Sequence, residues 1–247
     1  MTSPAPAATS ASAPSATWTE VVPGVFQHAK RDLRSWYFNT SVVRLRDGTL
    51  AVYSPTARLG DAAHQALGEL GTPSLLVAPN YYHWLGIAEW QERYPRATVV
   101  ASEPAQTRLR KKMPHELAGL SVLRDQLPDH VDLLEPPGVK HGEFWIRVRP
   151  PHPRELVWIT CDAWINAPHT PRGMFGVACR ALGVTPGLRI ARTWTGLVLA
   201  DKAAYRDWLL AQLQTSPPTC VLVSHGEPIR GDSIAACPRS ESSRREL

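Results

Sequence analysis

Three predicted junctions between a strand and the loop that follows it carry side chains able to bind ligands or exchange protons. His83, Asp162 and His225 each come shortly after an apolar run that is typical of a buried strand. Imidazole and carboxylate groups coordinate metal ions and act as acids and bases in enzymes. Because crevices in α/β folds form at the carboxyl ends of the strands, we expect these three side chains to meet at one edge of the fold.

The elements that position these junctions alternate between strands and helices. The first half predicts a strand at 20–26, a hairpin of 41–45 and 49–54 with Asp47-Gly48 at its turn, a helix at 61–70 capped by Asp61 and ended by Gly71, a strand at 75–78, a helical turn at 87–93 and a strand at 98–101. The second half predicts a hairpin of 144–148 and 155–160, a helix at 201–214 with Asp201 as its N-cap, and a strand at 220–223. Residues 113–138 are predicted as loops around short elements.

The composition indicates one globular domain with many short connections. The chain has 247 residues, of which 43% are hydrophobic, and it contains 23 Pro and 16 Gly. We predict that residues 1–17 form a disordered extension rich in Ala, Pro and Ser, that 18–235 form the domain, and that 236–247 form a C-terminal tail.

Charge and cysteine usage favour a cytoplasmic protein without nucleic-acid or membrane partners. The formal net charge is +5, but apart from a cluster at 108–112 the basic residues are scattered, and they do not interleave with aromatic residues as a strand-binding surface requires. The four cysteines are far apart and form no C-x-x-C pair, which is typical of reduced thiols. The sequence contains neither a secretory signal nor a run of about 18 apolar residues.

The order of elements, with the residues that end them, resembles the metallo-β-lactamase superfamily over roughly residues 20–232. The shared features are an opening hairpin, a helix, a loop where the family holds metal, a late strand ending in Asp162 and a last strand ending in His225-Gly226. The resemblance implies an α/β fold, the metallo-β-lactamase-like αββα sandwich, in which two mixed sheets are flanked by helices. It also implies that Asp162 matches the bridging aspartate and His225 the last histidine of a zinc or iron site.

The first metal motif of the family, H-x-H-x-D-H, is largely replaced in this chain. When Gly86 is set on the glycine that usually follows the motif, Pro79 and Tyr81 stand at the first two histidines, His83 at the aspartate and Trp84 at the third histidine. Of these four positions, only the one held by His83 keeps a side chain that can bind a divalent metal.

The resemblance therefore implies a reduced set of metal ligands. His83, Asp162 and His225 could hold one metal if they converge, and His141 is a further candidate for the middle histidine of the family. A standard two-metal site cannot be assembled from these residues. We accordingly expect either no cofactor or one weakly bound zinc or iron, and no appreciable β-lactamase activity.

A narrower resemblance concerns the segment 78–83, with the sequence Ala-Pro-Asn-Tyr-Tyr-His. Together with the downstream Trp90 and Tyr94-Pro95, it is similar to the DUF4336 branch of the superfamily, whose members show Pro-Asn-x-x-His in place of the metal motif. That branch brings no assigned activity with it.

Each candidate residue also has a structural interpretation. His83 could be hydrogen-bonded within its loop, Asp162 could anchor a turn, and His225 could simply precede a turn at Gly226. Asn80 either satisfies backbone groups of its loop or points its amide at a ligand. The neighbouring aromatic residues are interpreted as core and pocket wall, and they are Tyr81, Tyr82, Trp84 and Trp90.

Two classes of function stay open. The first is a hydrolase that polarises an ester, lactone or thioester with one metal, and in which Asp162 orients the attacking water as the catalytic residue. The second is a non-catalytic relative that binds a small organic molecule in a pocket formed by Asn80, Tyr81, His83 and Trp84, because rings in place of imidazoles make a pocket drier. An iron-containing oxidoreductase is a third, weaker hypothesis. In either leading case the expected partner is a small-molecule ligand.

Overall fold

The computed structural model describes residues 17–31, 36–114, 116–149, 155–181, 183, 186–190, 194–231 and 234. Within them the strands are β1 (Thr19–Val22), β2 (Val25–Arg31), β3 (Tyr37–Arg44), β4 (Leu50–Tyr53), β5 (Pro73–Ala78), β6 (Thr98–Ala101), β7 (Leu117–Ala118), β8 (Val131–Leu134), β9 (Trp145–Val148), β10 (Val157–Ile159), β11 (Ile165–Ala167), β12 (Gly187–Arg189), β13 (Cys220–Leu222), β14 (His225–Gly226) and β15 (Ile229–Arg230). The helices are α1 (Asp61–Leu70), α2 (Ile87–Arg93), α3 (Glu103–Leu109), α4 (Leu120–Gln126), α5 (Gly173–Ala181) and α6 (Lys202–Thr215), with a π-helical segment at Trp194–Val198.

The first sheet has seven strands in the order β1 to β7. Neighbouring strands are antiparallel from β1 to β4 and parallel from β4 to β7. The change occurs at β4 because a tight turn joins β3 to β4, with Gly48 at φ 85°, whereas a helix intervenes before each later strand. The carboxyl ends of β4, β5 and β6 therefore lie side by side at the same end of the first sheet.

The second sheet has five strands in the order β15-β13-β10-β9-β8. Its one parallel pair is β10 with β13, so the carboxyl ends of these two strands also lie side by side. A small third sheet, β12-β11-β14, continues from this end, and its β11 and β14 are again parallel. The chain thus reaches Asp162 just after β10, and His225 opens β14 just after β13.

The two large sheets pack face to face around a central apolar layer. Tyr53, Val77, Ile146, Ile159 and Leu222 belong to this layer, and each is at most 1% exposed. On the outer face of the first sheet, α1, α2 and α3 cover a second apolar cluster, and on the outer face of the second sheet a third cluster includes residues of α5 and α6. The arrangement is a sandwich of two mixed sheets flanked by helices, as predicted.

Alternation along the strands explains why each sheet can be buried on both faces. In β4, Tyr53 belongs to the central layer while Val52 belongs to the helix-side cluster. In β10, Ile159 faces the central layer while Trp158 faces the outer cluster. Successive side chains of a strand point to opposite faces, so runs that are apolar throughout produce strands covered on both sides.

Most predicted elements are confirmed, with small corrections. Both hairpins, the helix at 87–93 and the N-cap of α6, where the Asp201 side chain accepts from the Ala204 N–H, are found as expected. The prediction that Asp61 caps α1 was wrong: Gly60 is the N-cap, and Asp61 is the first helical residue. In the stretch 113–138, predicted as loops around short elements, the short elements are β7, α4 and β8.

The predicted ends of the chain lie almost wholly outside the described residues, because 1–16 and 235–247 are not among them. Cys161, Cys179 and Cys220 are free thiols in the described part, as predicted, and Cys237 lies outside it. Among the described helices, none combines the length and apolar character that a membrane span requires.

Candidate functional site

Residues that follow two parallel pairs of strands, β4 with β5 and β10 with β13, contact one another at one edge of the sandwich. Ser54 follows β4, His83 lies in the loop after β5, Asp162 follows β10, and His225 follows β13. The predicted convergence of His83, Asp162 and His225 is confirmed, since one possible ligand atom from each lies within 4.8 Å of the others. What the three residues do at this edge stays a prediction.

Asp162 is the centre of the site. Its Oδ1 atom lies 3.0 Å from His83 Nε2 and 3.2 Å from His225 Nε2, and its Oδ2 atom accepts a hydrogen bond from Asn80 Nδ2 at 2.9 Å. Burial alone would raise the pKa of Asp162, but the two histidines, by charge and hydrogen bonding, hold it well below its usual range. Asp162 is therefore an ionised carboxylate at neutral pH.

His225 is oriented by the first sheet. Its Nδ1 atom lies 2.8 Å from the Tyr37 carbonyl oxygen, which can only accept, so Nδ1 carries a hydrogen. Although burial would lower the pKa of His225, its hydrogen bond to Asp162 and the charge of that carboxylate raise it overall. Asn39 holds the surrounding loop, because its side-chain amide donates to the carbonyls of Val223 and Gly226 at 2.8 and 2.7 Å.

His83 is held between Asp162 and Ser54. Its Nδ1 atom lies 2.7 Å from Ser54 Oγ, while Nε2 faces Asp162. Ser54 is buried and adopts φ 58°, a left-handed conformation that non-glycine residues seldom take, and its backbone N–H donates to the Val77 carbonyl. The hydroxyl is thereby fixed against the imidazole at the end of β4.

Behind Asp162 lies a second carboxyl group, that of Glu143. It accepts hydrogen bonds from the Trp145 indole, from Asn80 Nδ2, and from the backbone N–H groups of Cys161, Asp162 and Ala163. Burial raises the pKa of Glu143 to about 8, the negative charge of Asp162 adds to this, and the donors act in the opposite direction. Glu143 organises the backbone that presents Asp162.

Asn80 connects the two carboxyl groups and orders its own loop. It is fully buried, its Nδ2 atom donates to Asp162 and Glu143, and its Oδ1 atom accepts from the N–H groups of Tyr82 and His83. Of the two predicted roles for Asn80, the structure shows the first, in which its side chain satisfies backbone groups of its own loop. Its amide is occupied by protein partners rather than aimed at open space.

His141 lies in an aromatic surround next to Glu143. The rings of Tyr81, Tyr82 and Trp194 approach its imidazole with centroids 5.7, 5.8 and 4.8 Å away. Its buried Nε2 atom is 3.5 Å from Glu143 Oε2 and has no hydrogen-bond partner among the described residues. Burial lowers the pKa of His141 to about 4, so the ring is neutral.

The other two predicted pocket residues differ in their surroundings. Tyr81 covers His141, and the Arg108 guanidinium lies 4.2 Å from the Tyr81 ring centroid, a cation–π contact. Trp84 packs against the apolar cluster beneath α1, α2 and α3. Tyr81 packs against the same cluster but also contacts His141 of the site, and a ligand-binding role for either residue stays a prediction.

Aromatic side chains flank the polar centre at the surface. Trp36 and Phe38 approach the His225 ring with centroids 5.5 and 5.7 Å away, and Phe175 of α5 packs edge-on against Trp36. Phe38 and Phe175 are each 37% exposed, and Tyr82, near His141, is 52% exposed. The His83 and Asp162 side chains remain 13% and 23% exposed, so the polar centre reaches the surface between these rings.

The donor set suits one metal ion and does not suit two. Two imidazole Nε2 atoms and a carboxylate are ligands that zinc and iron accept, and the bond from His225 Nδ1 to a backbone carbonyl is the support that metal-binding histidines commonly have. His141, Glu143 and Asp162 form a second cluster, but both oxygens of Glu143 are already engaged by N–H donors. If a metal were bound by His83, Asp162 and His225, it would act as a Lewis acid.

The sequence interpretation missed two members of the site. Ser54 was read only as the end of a strand, and Glu143 was not considered. Glu143 precedes β9, whereas the other site residues follow strands, so the pattern His141-Gly142-Glu143 was its one available signal. Ser54 gave no signal beyond its place at the end of a hairpin strand.

Comparison with solved structures identifies the fold. The chain is similar to a protein described as a diflavin flavoprotein from Nostoc sp. PCC 7120, with TM-score 0.59, 14% identity, and coverage of 92% of this chain and 95% of that one. It is also similar to a metallo-β-lactamase from Hirschia baltica, with TM-score 0.56, 10% identity, and coverage of 90% and 96%. A third similar structure is the metallo-β-lactamase FIM-1 from Pseudomonas aeruginosa in its mono-zinc form, with TM-score 0.54, 12% identity, and coverage of 92% and 96%.

These likenesses confirm the predicted metallo-β-lactamase fold, and at such low identity they show the fold alone. No protein-family model matches the sequence, and no curated protein matches it. The narrower resemblance to the DUF4336 branch accordingly stays a prediction.

Proposed function

We propose, from the premise of a metallo-β-lactamase fold, that this chain binds a small organic ligand at the edge formed by His83, Asp162 and His225 and holds little or no metal there. The observation that carries the proposal is the closed set of hydrogen bonds around Asp162. Both of its oxygens accept from protein donors, at 3.0 Å from His83, 3.2 Å from His225 and 2.9 Å from Asn80.

This network satisfies its own charges without a metal. Both ring nitrogens of His225 face acceptors, the Tyr37 carbonyl and Asp162, and the carboxylate raises the pKa of His225, so its protonated form is favoured. A dication would have to displace the hydrogen that His225 Nε2 presents to the carboxylate. Metal ligands must be deprotonated, so a network that stabilises protonated imidazole opposes metal binding.

The surroundings favour an organic ligand. The exposed rings of Phe38, Phe175 and Tyr82 flank the polar centre, and apolar surface next to a few fixed polar groups is typical of small-molecule sites. The Arg108 guanidinium next to Tyr81 adds a positive charge on the side where the family motif would supply imidazoles. Both features make the site less suitable for a dication.

The alternative function is a one-metal hydrolase. Its support is that His83, Asp162 and His225 have the right ligand atoms within 4.8 Å, and that His225 is braced through Nδ1 as metal ligands commonly are. In that case the two histidines and Asp162 would hold the ion, and the remaining open position would activate a water.

Elemental analysis of protein purified without added metal separates the two functions. We expect well under one equivalent of zinc or iron per chain, because three ligands already engaged with one another bind a dication weakly. A stoichiometric metal that survives dialysis and disappears in the His225→Ala protein would support the hydrolase instead.

The same variant gives a second readout. For a site without metal, His225→Ala changes the melting temperature by nearly the same amount with and without EDTA, since only ligands bound to the native state add stability. Binding of the organic ligand is measured separately, by screening small carboxylic esters and acids for a rise in melting temperature that Phe38→Ala weakens.

A further inference from the structure

We propose that Ser54 is the nucleophile of a metal-independent acyl transfer, with His83 as its general base and Asp162 as the group that orients His83. The substrate class is an ester of a carboxylic acid with an apolar acyl group. This inference rests on the proposed function, because it requires the edge formed by these residues to be free of metal.

The three side chains form a continuous relay. Ser54 Oγ lies 2.7 Å from His83 Nδ1, and His83 Nε2 lies 3.0 Å from Asp162 Oδ1. A nucleophile bonded to a base, with the base bonded to a carboxylate, is the arrangement by which serine hydrolases are recognised, independent of fold or chain order. Here the imidazole uses Nδ1 toward the serine and Nε2 toward the carboxylate.

The direction of the hydrogen bonds follows from Asp162. An ionised carboxylate only accepts, so His83 Nε2 must carry the hydrogen that faces Asp162. The neutral ring then has its lone pair on Nδ1, which accepts the Ser54 hydroxyl hydrogen. If a metal occupied Nε2 instead, Nδ1 would carry the hydrogen and Ser54 would accept it. The hydrogen bond between Ser54 and His83 is therefore donated by Ser54 in the metal-free protein and by His83 in a metal-bound one.

The backbone at Ser54 also fits this role. Ser54 directly follows the carboxyl end of β4 and has φ 58°, and strained turns directly after a strand are where α/β hydrolases present a nucleophilic serine. Left-handed geometry at a non-glycine residue is strained, and strain of this kind clusters at functional sites.

The chemistry balances without a further reactant except water. Ser54 Oγ bonds to the acyl carbon while its proton moves to His83 Nδ1, and the ester C–O bond then breaks as that proton passes to the leaving alcohol. Water attacks the acyl-serine, its proton moves to Nδ1, and the Ser54 oxygen leaves and regains the proton. The products are a carboxylic acid and an alcohol.

The apolar acyl group follows from the rings around the site. Phe38 and Phe175 lie on the His225 side and Tyr82 on the His141 side, so a chain or ring attached to the reacting carbonyl finds apolar surface on either side. His225 maintains the position of Asp162 through their 3.2 Å contact.

Labelling with an alkyl fluorophosphonate tests the assignment. The full chain is treated with EDTA, desalted and incubated with the probe, which bonds phosphorus to the serine oxygen and releases fluoride. Intact mass and peptide mapping should give one adduct per chain on Ser54. His83→Gln should slow labelling at least about 100-fold, the contribution expected of a general base. Ser54→Ala should abolish it.

A matched control is Ser102→Ala. Ser102 is also buried and also follows a parallel strand, but its hydroxyl donates to the Gly142 carbonyl instead of meeting an imidazole. Labelling of this variant should equal that of the wild-type protein. Near-UV circular dichroism checks that the variants fold, and if Ser54→Ala does not, the mapped adduct of the wild-type chain decides the question alone.

Nitrogen NMR of the metal-free protein gives an independent readout, because it reports which nitrogen of His83 bears hydrogen. Hydrogen on Nε2 and a bare Nδ1 support the relay. An absent adduct, an adduct on another residue, labelling that needs added zinc or iron, or hydrogen on Nδ1 would overturn it. Metal analysis of the same batch separates the two failures: metal-free protein without a Ser54 adduct refutes the nucleophile alone, whereas stoichiometric metal refutes the proposed function as well.

Discussion

Asn39 uses all its N–H groups to hold the loop that carries His225. Its side-chain amide donates to the carbonyls of Val223 and Gly226, and its backbone N–H donates to that of Ser224 at 2.9 Å. The side chain is buried, so water cannot replace these bonds. One residue of the first sheet thus fixes the end of a strand in the second.

Replacing Asn39 by Ala should lower the free energy of unfolding by about 2–4 kcal/mol, because the Gly226 carbonyl loses its side-chain donor and the Val223 carbonyl keeps only the longer bond from Gln27, at 3.4 Å. Urea unfolding monitored by circular dichroism measures the change. The control is Asn166→Ala, which removes an amide of β11 that donates to the Glu227 carbonyl, just after His225, in an exposed position. We expect a loss of less than about 1 kcal/mol for the control. Equal losses would contradict the assigned role of Asn39.

At the residue scale, the sequence predicted those site members whose type is unusual at the end of a strand. His83, Asp162 and His225 were found in this way, and their meeting followed from the parallel direction of the strands. Glu143 and Ser54 could not be assigned, because their roles depend on distances between segments far apart in the chain. Ser54 meets His83 only after two strands have paired.

The loop after β5 is locked to the segment after β4 by a glycine. A Cβ atom on Gly86 would lie 2.0 Å from the Pro55 carbonyl oxygen and 2.8 Å from the Ala57 nitrogen. Its φ of −82° is open to any residue, so the requirement for glycine is one of space alone. The two loops that supply Ser54 and His83 are held at a fixed separation by this contact.

Gly86→Ala should therefore destabilise the protein by more than about 2 kcal/mol, since the clash is with backbone and no rotamer change relieves it. Gly68→Ala is the matched control: Gly68 is an exposed residue of α1 with nothing within 4 Å of a Cβ atom. There we expect a gain of about 0.5–1 kcal/mol from the higher helix propensity of alanine. Thermal unfolding of both variants measures the effects, and a neutral Gly86→Ala would refute the locking contact.

At the element scale, the sequence predicted turns and helix ends correctly where they depend on residues next to one another in the chain. The Asp47-Gly48 turn fixed the first hairpin, and Tyr94-Pro95 ended α2 at Arg93 as predicted. The N-cap of α1 was misassigned because Gly60, with φ 91°, takes a conformation that glycine adopts freely. The short elements expected between 113 and 138 could not be assigned a type or bounds, because the seven-residue α4 depends on packing at the central layer for its stability.

The central apolar layer belongs equally to both sheets. Tyr53 and Val77 from the first sheet and Ile146, Ile159 and Leu222 from the second are members of one cluster. Neither sheet can separate from the other without exposing this cluster, so the sandwich should unfold as one unit.

Two probes test this expectation. Tryptophan fluorescence and far-UV circular dichroism should give the same urea midpoint. Trp90→Phe removes a fluorescent reporter from α2, on the outer face of the first sheet, and the two midpoints should still coincide in this variant. Ile146→Ala should move both midpoints together, with a loss of about 2–5 kcal/mol. Separate transitions would show that the sheets unfold independently.

For the whole molecule, the sequence predicted the architecture but left its chemistry open. The fold followed from the resemblance of the element order to the metallo-β-lactamase superfamily, and the comparisons confirm it at 14% identity or less. Function depends on a few side chains at strand ends, and such sites change while the fold is retained.

The bond between His225 and Tyr37 has a consequence for synthesis of the chain on the ribosome. These residues are 188 positions apart, and Asn39 reaches residues nearly as distant. Tyr37 and Asn39 emerge early, yet their partners arrive only when the last strands are made. Until then Asp162 lacks one of its two histidines, so the edge formed by His83, Asp162 and His225 is completed only after β13 has been made.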